Sequence, residues 1–438
     1  MKFLLKICKS DNMMSFLEKG LVAALGFSSF VLLSRSLSSD IFGVWVLYIT
    51  MATFVEMLRS GILHSALVRF ASGLNIIENE KIIASAWVIG LTVTALLATI
   101  LIVVGQLIGG VQRIGDLNIF FTWYPILSFA TLPHNFAFWI LQAGQEFKKS
   151  LALRIIVSGL FTLFLCVNFM FHFQFETIVM AHAIINGIGS ALAIAFGWSR
   201  ISTMPKAERA CVTKLLHFGK FSMGTLIGTN LLKSSDTFLI GWLLGPSAVA
   251  FYSVPLKLTE LVEIPLRGFV STSLPKMSRL ALQKNNAGVM KIFKKDVVAL
   301  TLAFIPVLVG CFLFAEELVV LLGGEVYRDA AIILRIFVVY MILLPLDRYI
   351  GIVLDSMNRP ESNFRKIALM VIANVCGDFL ALKFVGGVWA VAAVTISTFI
   401  VGTCYGSSVL CKLNDLRFSE LLSFMRGKST LNSEPLKS

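Results

Sequence analysis

Residues 230–268 read NLLKSSDTFLIGWLLGPSAVAFYSVPLKLTELVEIPLRG. Two apolar runs flank the short LGPS segment, and each carries charge well inside it: Lys233 and Asp236 in the first, Lys257, Glu260, Glu263 and Arg267 in the second. At about 100° per residue, Lys257, Glu260, Glu263 and Arg267 fall on one face of a helix. Asn230, Lys233 and Asp236 are spaced i, i+3, i+6 and share a face in the same way. An ionisable group deep in a membrane span costs several kcal/mol, so it is expected to face protein or a watery cavity. The stretch therefore predicts two spanning helices that turn polar faces toward an interior.

The rest of the chain has the same character. Of 438 residues, 57% are hydrophobic and 14% charged, with a mean hydropathy of +0.84. A soluble protein carries about 25% charged residues. The deficit excludes an ordinary cytosolic enzyme, a disordered chain and a nucleic-acid binder. Apolar runs of spanning length occur near 15–36, 41–66, 82–110, 118–141, 150–172, 176–199, 219–241, 248–274, 297–322, 329–354, 364–384 and 387–411. In a bilayer these must be helices, because every backbone polar group needs an internal partner. Pro125, Pro133, Pro306 and Pro345 are expected as kinks inside them. The fold class is thus an all-α polytopic membrane protein of about twelve transmembrane helices.

The net charge of +13 follows from topology. With the N-terminus in the cytoplasm, the outward segments hold Arg35, Arg113, Arg328 and Lys383, while most other Lys and Arg, Lys366 among them, fall inside. That is the positive-inside asymmetry, and it places both termini in the cytoplasm, with the excess charge facing anionic membrane lipids. The expected domains are a six-helix bundle at 1–199, a cytoplasmic linker at 200–218, a second bundle at 219–411 and a cytoplasmic tail at 412–438. The halves read as a parallel repeat. Residues 37–61 superpose on 244–268, so that Trp45 meets Tyr252, Glu56 meets Glu263 and Gly61 meets Gly268, with Arg59 and Arg267 one position out of register. The economical arrangement is two bundles about a central hydrated cavity.

No catalytic or nucleotide-binding motif is present: there is no G-x-x-x-x-G-K-[ST] loop and no H-E-x-x-H. No enzyme activity, cofactor or metal is expected. The seven cysteines are scattered and read as small core residues. Trp45, Trp123, Tyr124 and Tyr327 fall where interfacial aromatic belts are expected, and Arg154 reads as an anchor near a span end. His182 and Asn186 read as core polar groups. The remaining charges in spans are Glu56 and Arg59; Arg335, Asp347 and Arg348; and Asp378, with Asn374 one turn before it. Pairs such as Lys233/Asp236 and Glu56/Arg59 have two readings, as self-neutralising structural contacts or as cavity ligands.

Four segments resemble the polysaccharide flippases of the multidrug/oligosaccharidyl-lipid/polysaccharide exporter superfamily, specifically the O-antigen repeat-unit translocases of Wzx type. They are GLVAALGFSSFVLLSRSL (20–37), LLSRSLSSDIFGVWVLY (32–48), SSDTFLIGWLLGPSAVAFYSVPLKLTELV (234–262) and SMNRPESNFRKIALMVIANVCGDFLALKFVGGVWAVAAVTIS (356–397). The resemblance implies a substrate of undecaprenyl-diphosphate bearing an oligosaccharide. It would move between leaflets of the bacterial inner membrane by alternating access, with a polysaccharide polymerase and a chain-length regulator as partners. On that reading Arg59, Lys233, Lys257, Arg267, Arg335 and Arg348 bind the anionic substrate. Glu56, Asp236, Glu260, Glu263 and Asp378 couple transport to H+ or Na+. The competing functions are a cation-coupled drug or metabolite exporter of the same fold, a membrane scaffold and a lipid-modifying enzyme. The spans hold at least as many cations as anions, which favours an anionic cargo over an organic cation.

Overall fold

The computed structural model describes residues 11–71, 76–108 and 118–413. The described residues form helices and no strand. They are α1 (Asp11–Ser36), α2 (Ser39–Ala71), α3 (Ile76–Ile108), α4 (Asn118–Ala130), α5 (Leu132–Ala143), α6 (Phe147–Phe171), α7 (Phe175–Ala195), α8 (Arg209–Leu243), α9 (Pro246–Leu282), α10 (Asn286–Leu313), α11 (Ala315–Gly323), α12 (Ala331–Ser356), α13 (Pro360–Phe384) and α14 (Val388–Leu413). Short 3-10 turns occupy Ile201–Lys206 and Glu325–Ala330. Glu18 and Lys19 lie in α1, outside the residues whose side chains are described. Eight of the described helical stretches are long and apolar enough to cross a membrane. The chain is a multi-pass membrane protein.

The exceptions have local causes. The run 118–141 is divided into α4 and α5 at Thr131, because Pro133 sits in the first turn of α5. Proline lacks the N–H that would continue the ladder, so Pro133 starts a helix where a kink was expected, while Pro125, Pro306 and Pro345 stay inside helices. Helices α8 and α9 carry the quoted charges, which lower their hydropathy. Between them, Gly245 adopts φ +91°, a backbone region open to glycine, and Pro246 opens α9 with the fixed φ that suits a first turn.

Two compact units meet the chain between Asn230 and Leu231, within α8. In unit 1, Trp87 stacks on Phe136 with centroids 4.1 Å apart, inside a core that includes Leu63, Leu67, Ile83, Trp139 and Leu215. Residues 200–218, read from sequence as a linker, hold the first 3-10 turn and the start of α8. The turn packs on α3, Trp87 Nε1 donates to the Ser199 carbonyl at 2.9 Å, and Leu215 is fully buried. Helices α2 and α8 cross closely at small residues: a Cβ on Gly61 would meet the Met223 backbone at 2.9 Å, and one on Gly219 would run into the Ile62 carbonyl. Close backbone approach of this kind requires glycine.

In unit 2, α12 is central and packs against α9, α10, α11, α13 and α14. Several expectations about side chains change. Trp45, Tyr124 and Tyr327 are buried in their units, and among the described cysteines Cys411 alone is buried, with Cys166, Cys376 and Cys404 exposed.

Candidate functional site

Unit 1 brings Glu56 and Arg59 together on α2, as a within-helix ion pair. Arg59 is 2% exposed. Its Nε donates to Glu56 Oε1 at 3.3 Å, Nη1 to Thr94 Oγ1 at 3.2 Å and to the Ser128 carbonyl at 2.6 Å, and Nη2 to Glu56 Oε2 and to Thr131 Oγ1 at 3.1 Å. A guanidinium has five N–H donors, and each has an acceptor here. Asn135 Nδ2 adds a donor to Glu56 at 3.1 Å. The acceptors lie on α2, α3, the end of α4 and the Thr131 junction, so Arg59 ties down the break in the 118–141 run. Ser190 of α7 supports the same break, donating to the Ala130 carbonyl and accepting from the His134 N–H at 3.1 Å.

Elsewhere in unit 1, the Arg154 guanidinium lies 3.6 Å from the Phe138 ring centroid. His182 sits among Trp45, Tyr48 and Phe161. Asn186 donates to the His182 carbonyl at 2.8 Å, whereas His182 Nδ1 is buried without a partner.

Unit 2 separates the two charges of the opening stretch. Lys233 is 46% exposed in its side chain and reaches Glu263 of α9 at 3.8 Å, not Asp236. Glu263 also binds Arg267, which is 60% exposed. Arg348 of α12 is exposed and within electrostatic range of both Lys233 and Glu263. Lys257 pairs with Glu260 one turn earlier, at 2.8 Å. Lys233 and Arg267 therefore share the Glu263 carboxylate, with the exposed Arg348 within electrostatic range, which leaves net positive charge there. Arg335 is not part of this group. It pairs with Glu316 of α11 at 3.0 Å, near Arg328 and Glu325.

Asp236 points the other way and is 7% exposed. Tyr252 of α9 donates its hydroxyl to Asp236 Oδ2, and Asn374 of α13 donates Nδ2 to Asp236 Oδ1 at 2.8 Å. Asn374 also donates to Asp378 Oδ2 one turn along α13. Asp378 is fully buried, its Oδ1 has no partner, and the Asn374 amide bridges it to Asp236. Two buried carboxylates that share one amide donor each disfavour the charged form of the other. Among the described residues, no Lys or Arg is paired with either.

Sequence reasoning placed Asp236 and Asp378 but missed Tyr252 as a donor and Asn374 as the bridge. The i, i+4 spacing of Asn374 and Asp378 in an apolar helix was the available signal. It also missed Lys366, read as a loop cation. Pro360 opens α13 two turns earlier, so Lys366 is helical. It is buried against Asp347 at 2.7 Å.

A model of the family described as polysaccharide biosynthesis protein matches residues 11–281. A second, described as MatE, matches residues 222–381. A probable low-salt glycan biosynthesis flippase, Agl15, of Haloferax volcanii is 24% identical over 232 residues, covering 52% of this chain and 49% of that protein. The chain thus spans about half the length of the curated relative it matches. Among solved structures, the inward-facing conformation of a multidrug resistance MATE family transporter of the MOP superfamily superposes with a TM-score of 0.74 at 15% identity. It covers 90% of this chain and 96% of the other. The lipid II flippase MurJ, in an inward closed conformation, gives 0.74 at 14% identity, covering 94% and 90%. At these identities the likeness is one of fold.

Proposed function

The chain belongs to the polysaccharide biosynthesis protein family, and from that premise we propose that it is a transporter that moves a lipid-linked, diphosphate-bearing glycan across the membrane by alternating access, coupled to a cation. The observation that carries the reading is the exposed cluster of Lys233, Arg267 and Arg348 about Glu263, within helices of a membrane protein. A diphosphate is strongly anionic, and charge-assisted hydrogen bonds to Lys and Arg offset the cost of carrying it through a span. The flippase match favours a lipid-linked glycan. An exporter of organic cations would need the opposite polarity.

In its finer form the substrate is undecaprenyl-diphosphate-linked oligosaccharide, an O-antigen repeat unit. The membrane is the bacterial inner membrane, with both termini cytoplasmic. A polymerase and a chain-length regulator act on the delivered unit. Asp236, Asp378 and Asn374 hold the coupling ion, H+ or Na+, while Lys257 and Glu260 extend the charged face of α9. Arg59 and Glu56 satisfy each other in this conformation, and Arg335 belongs to a separate ion pair.

The test is a reconstituted flipping assay in proteoliposomes loaded with a diphosphate-linked glycolipid. Lys233→Glu is expected to abolish flipping with folded protein at normal yield. Asp378→Asn is expected to remove the dependence on the Na+ or proton gradient. Full flipping by Lys233→Glu would sink the proposal.

A further inference from the structure

Three consecutive residues of α12 have three different fates. Asp347 is buried: Lys366 Nζ of α13 donates to its Oδ1 at 2.7 Å and to its main-chain carbonyl at 3.0 Å. Tyr349 is buried too. Its hydroxyl lies 3.1 Å from Ser273 Oγ of α9 and 3.3 Å from Asp296 Oδ2 of α10. Arg348, between them, is exposed and within electrostatic range of Lys233 and Glu263. Successive helical side chains diverge by about 100°, so fixing 347 and 349 on inner faces fixes the direction of 348.

The slot for Lys366 is built for it. It is 3% exposed, and Gly406 of α14 leaves it room: a Cβ there would meet Lys366 Cδ at 3.3 Å and run into Ile350. Pro345 lies two residues before Asp347 and removes one main-chain donor from this part of α12. Lys366 is bound to main chain as well as side chain just past that weakened turn. A salt bridge serving stability alone has no need of the carbonyl.

We propose that Lys366 is a positioning residue for the anion site, holding α12 through Asp347 so that Arg348 faces Lys233 and Glu263. The inference rests on the anion-site reading above. It assigns work to a cation that never touches the substrate.

The test uses the full chain in detergent, with inorganic pyrophosphate as probe. Lys366→Met alone strands a buried carboxylate and is expected to unfold. The informative variant is Lys366→Met with Asp347→Leu, because replacing a buried pair by apolar residues is often neutral for stability. It is expected to fold, and to bind pyrophosphate about tenfold more weakly. Arg348→Ala is expected to weaken binding to the same extent, with no further loss when the two changes are combined. Undiminished binding in the folded pair variant, or losses that simply add, would overturn the proposal.

A second readout does not depend on binding. Arg348→Cys is expected to react with a cationic thiol reagent several-fold more slowly in the pair variant than with Lys366 and Asp347 intact, whereas an unchanged rate overturns the assignment. If the parent protein fails to bind pyrophosphate, the anion-site reading fails, while the thiol rates still decide whether Lys366 positions residue 348.

Discussion

Replacing Arg59 by Met separates a structural from a substrate-binding role. The substitution removes all five donors at once, among them those to Glu56, Thr94, Thr131 and the Ser128 carbonyl. Glu56 keeps one donor, Asn135. Removing one partner of a buried pair costs about 3–5 kcal/mol, chiefly from the charge left behind, and a carbonyl stripped of its donor costs about 1–3 kcal/mol. These overlap, so roughly 4 kcal/mol is a fair total. For a unit of this size that corresponds to a fall in Tm of roughly 10 °C. The companion Glu56→Leu/Arg59→Met removes the stranded charge and should recover more than half of the loss. Tryptophan fluorescence during thermal unfolding in detergent measures both, with size-exclusion chromatography to score folded yield. A single Arg59→Met variant that melts like the parent yet fails to flip substrate would refute the reasoning and return Arg59 to the substrate.

Other substitutions probe other parts of the molecule. Gly219→Val forces α8 away from the Ile62 carbonyl, and folded yield on size-exclusion chromatography should fall sharply, whereas Gly228→Ala, where a Cβ meets nothing within 4 Å, should not change it. Tyr252→Phe removes one donor from Asp236 without a change of shape. Ion affinity, read from the Na+ or pH dependence of flipping, should change by about ten- to a hundredfold, as expected for one hydrogen bond to a charged group. Glu263→Gln releases Lys233 and Arg267 from their shared carboxylate. Pyrophosphate should bind more tightly by calorimetry, and turnover should fall because release slows.

How far these sites were legible depends on what kind of signal marks them. Charges in apolar runs are conspicuous, so Lys233, Asp236, Glu263 and Asp378 stood out at once. The helical register correctly grouped the α9 charges, which zip along one face as Lys257–Glu260 and Glu263–Arg267. It failed for Lys233 and Asp236. Neighbours three apart differ by about 60° in direction, enough for a long flexible lysine to reach an exposed face while a short aspartate stays inside. Partner choice across helices was not legible. Nothing near Arg59 in sequence announces the Ser128 carbonyl, because that acceptor lies 69 residues further along, at the end of α4. Lys366 lies two residues into the 364–384 run but was counted with the inward-facing cations, because the charge of a lysine near a span end reads as an interfacial anchor, whereas Pro360 starts the helix early enough to carry it inside.

Lys233 and Asp236 occupy adjacent turns of α8 yet serve different neighbours, Glu263 on the exposed side and Tyr252 with Asn374 on the buried side. A cation arriving between Asp236 and Asp378 adds positive charge close behind the anion cluster. With the charges on the order of 10 Å apart and an effective dielectric of about 20, the interaction is about 1.7 kcal/mol, or roughly fifteen- to twentyfold in affinity. Linkage makes the effect reciprocal: Na+ or acid should tighten pyrophosphate binding, and pyrophosphate should tighten ion binding by the same factor. On the proposed reading, ion and anion are expected to bind cooperatively in this conformation. Net exchange of one for the other then has to come from the change of conformation, not from electrostatic competition. Isothermal titration of pyrophosphate at low and high Na+, and at two pH values, measures the factor directly. Asp378→Asn should reduce it to one. A coupling that survives that substitution would mean that the acid pair is not where the ion binds.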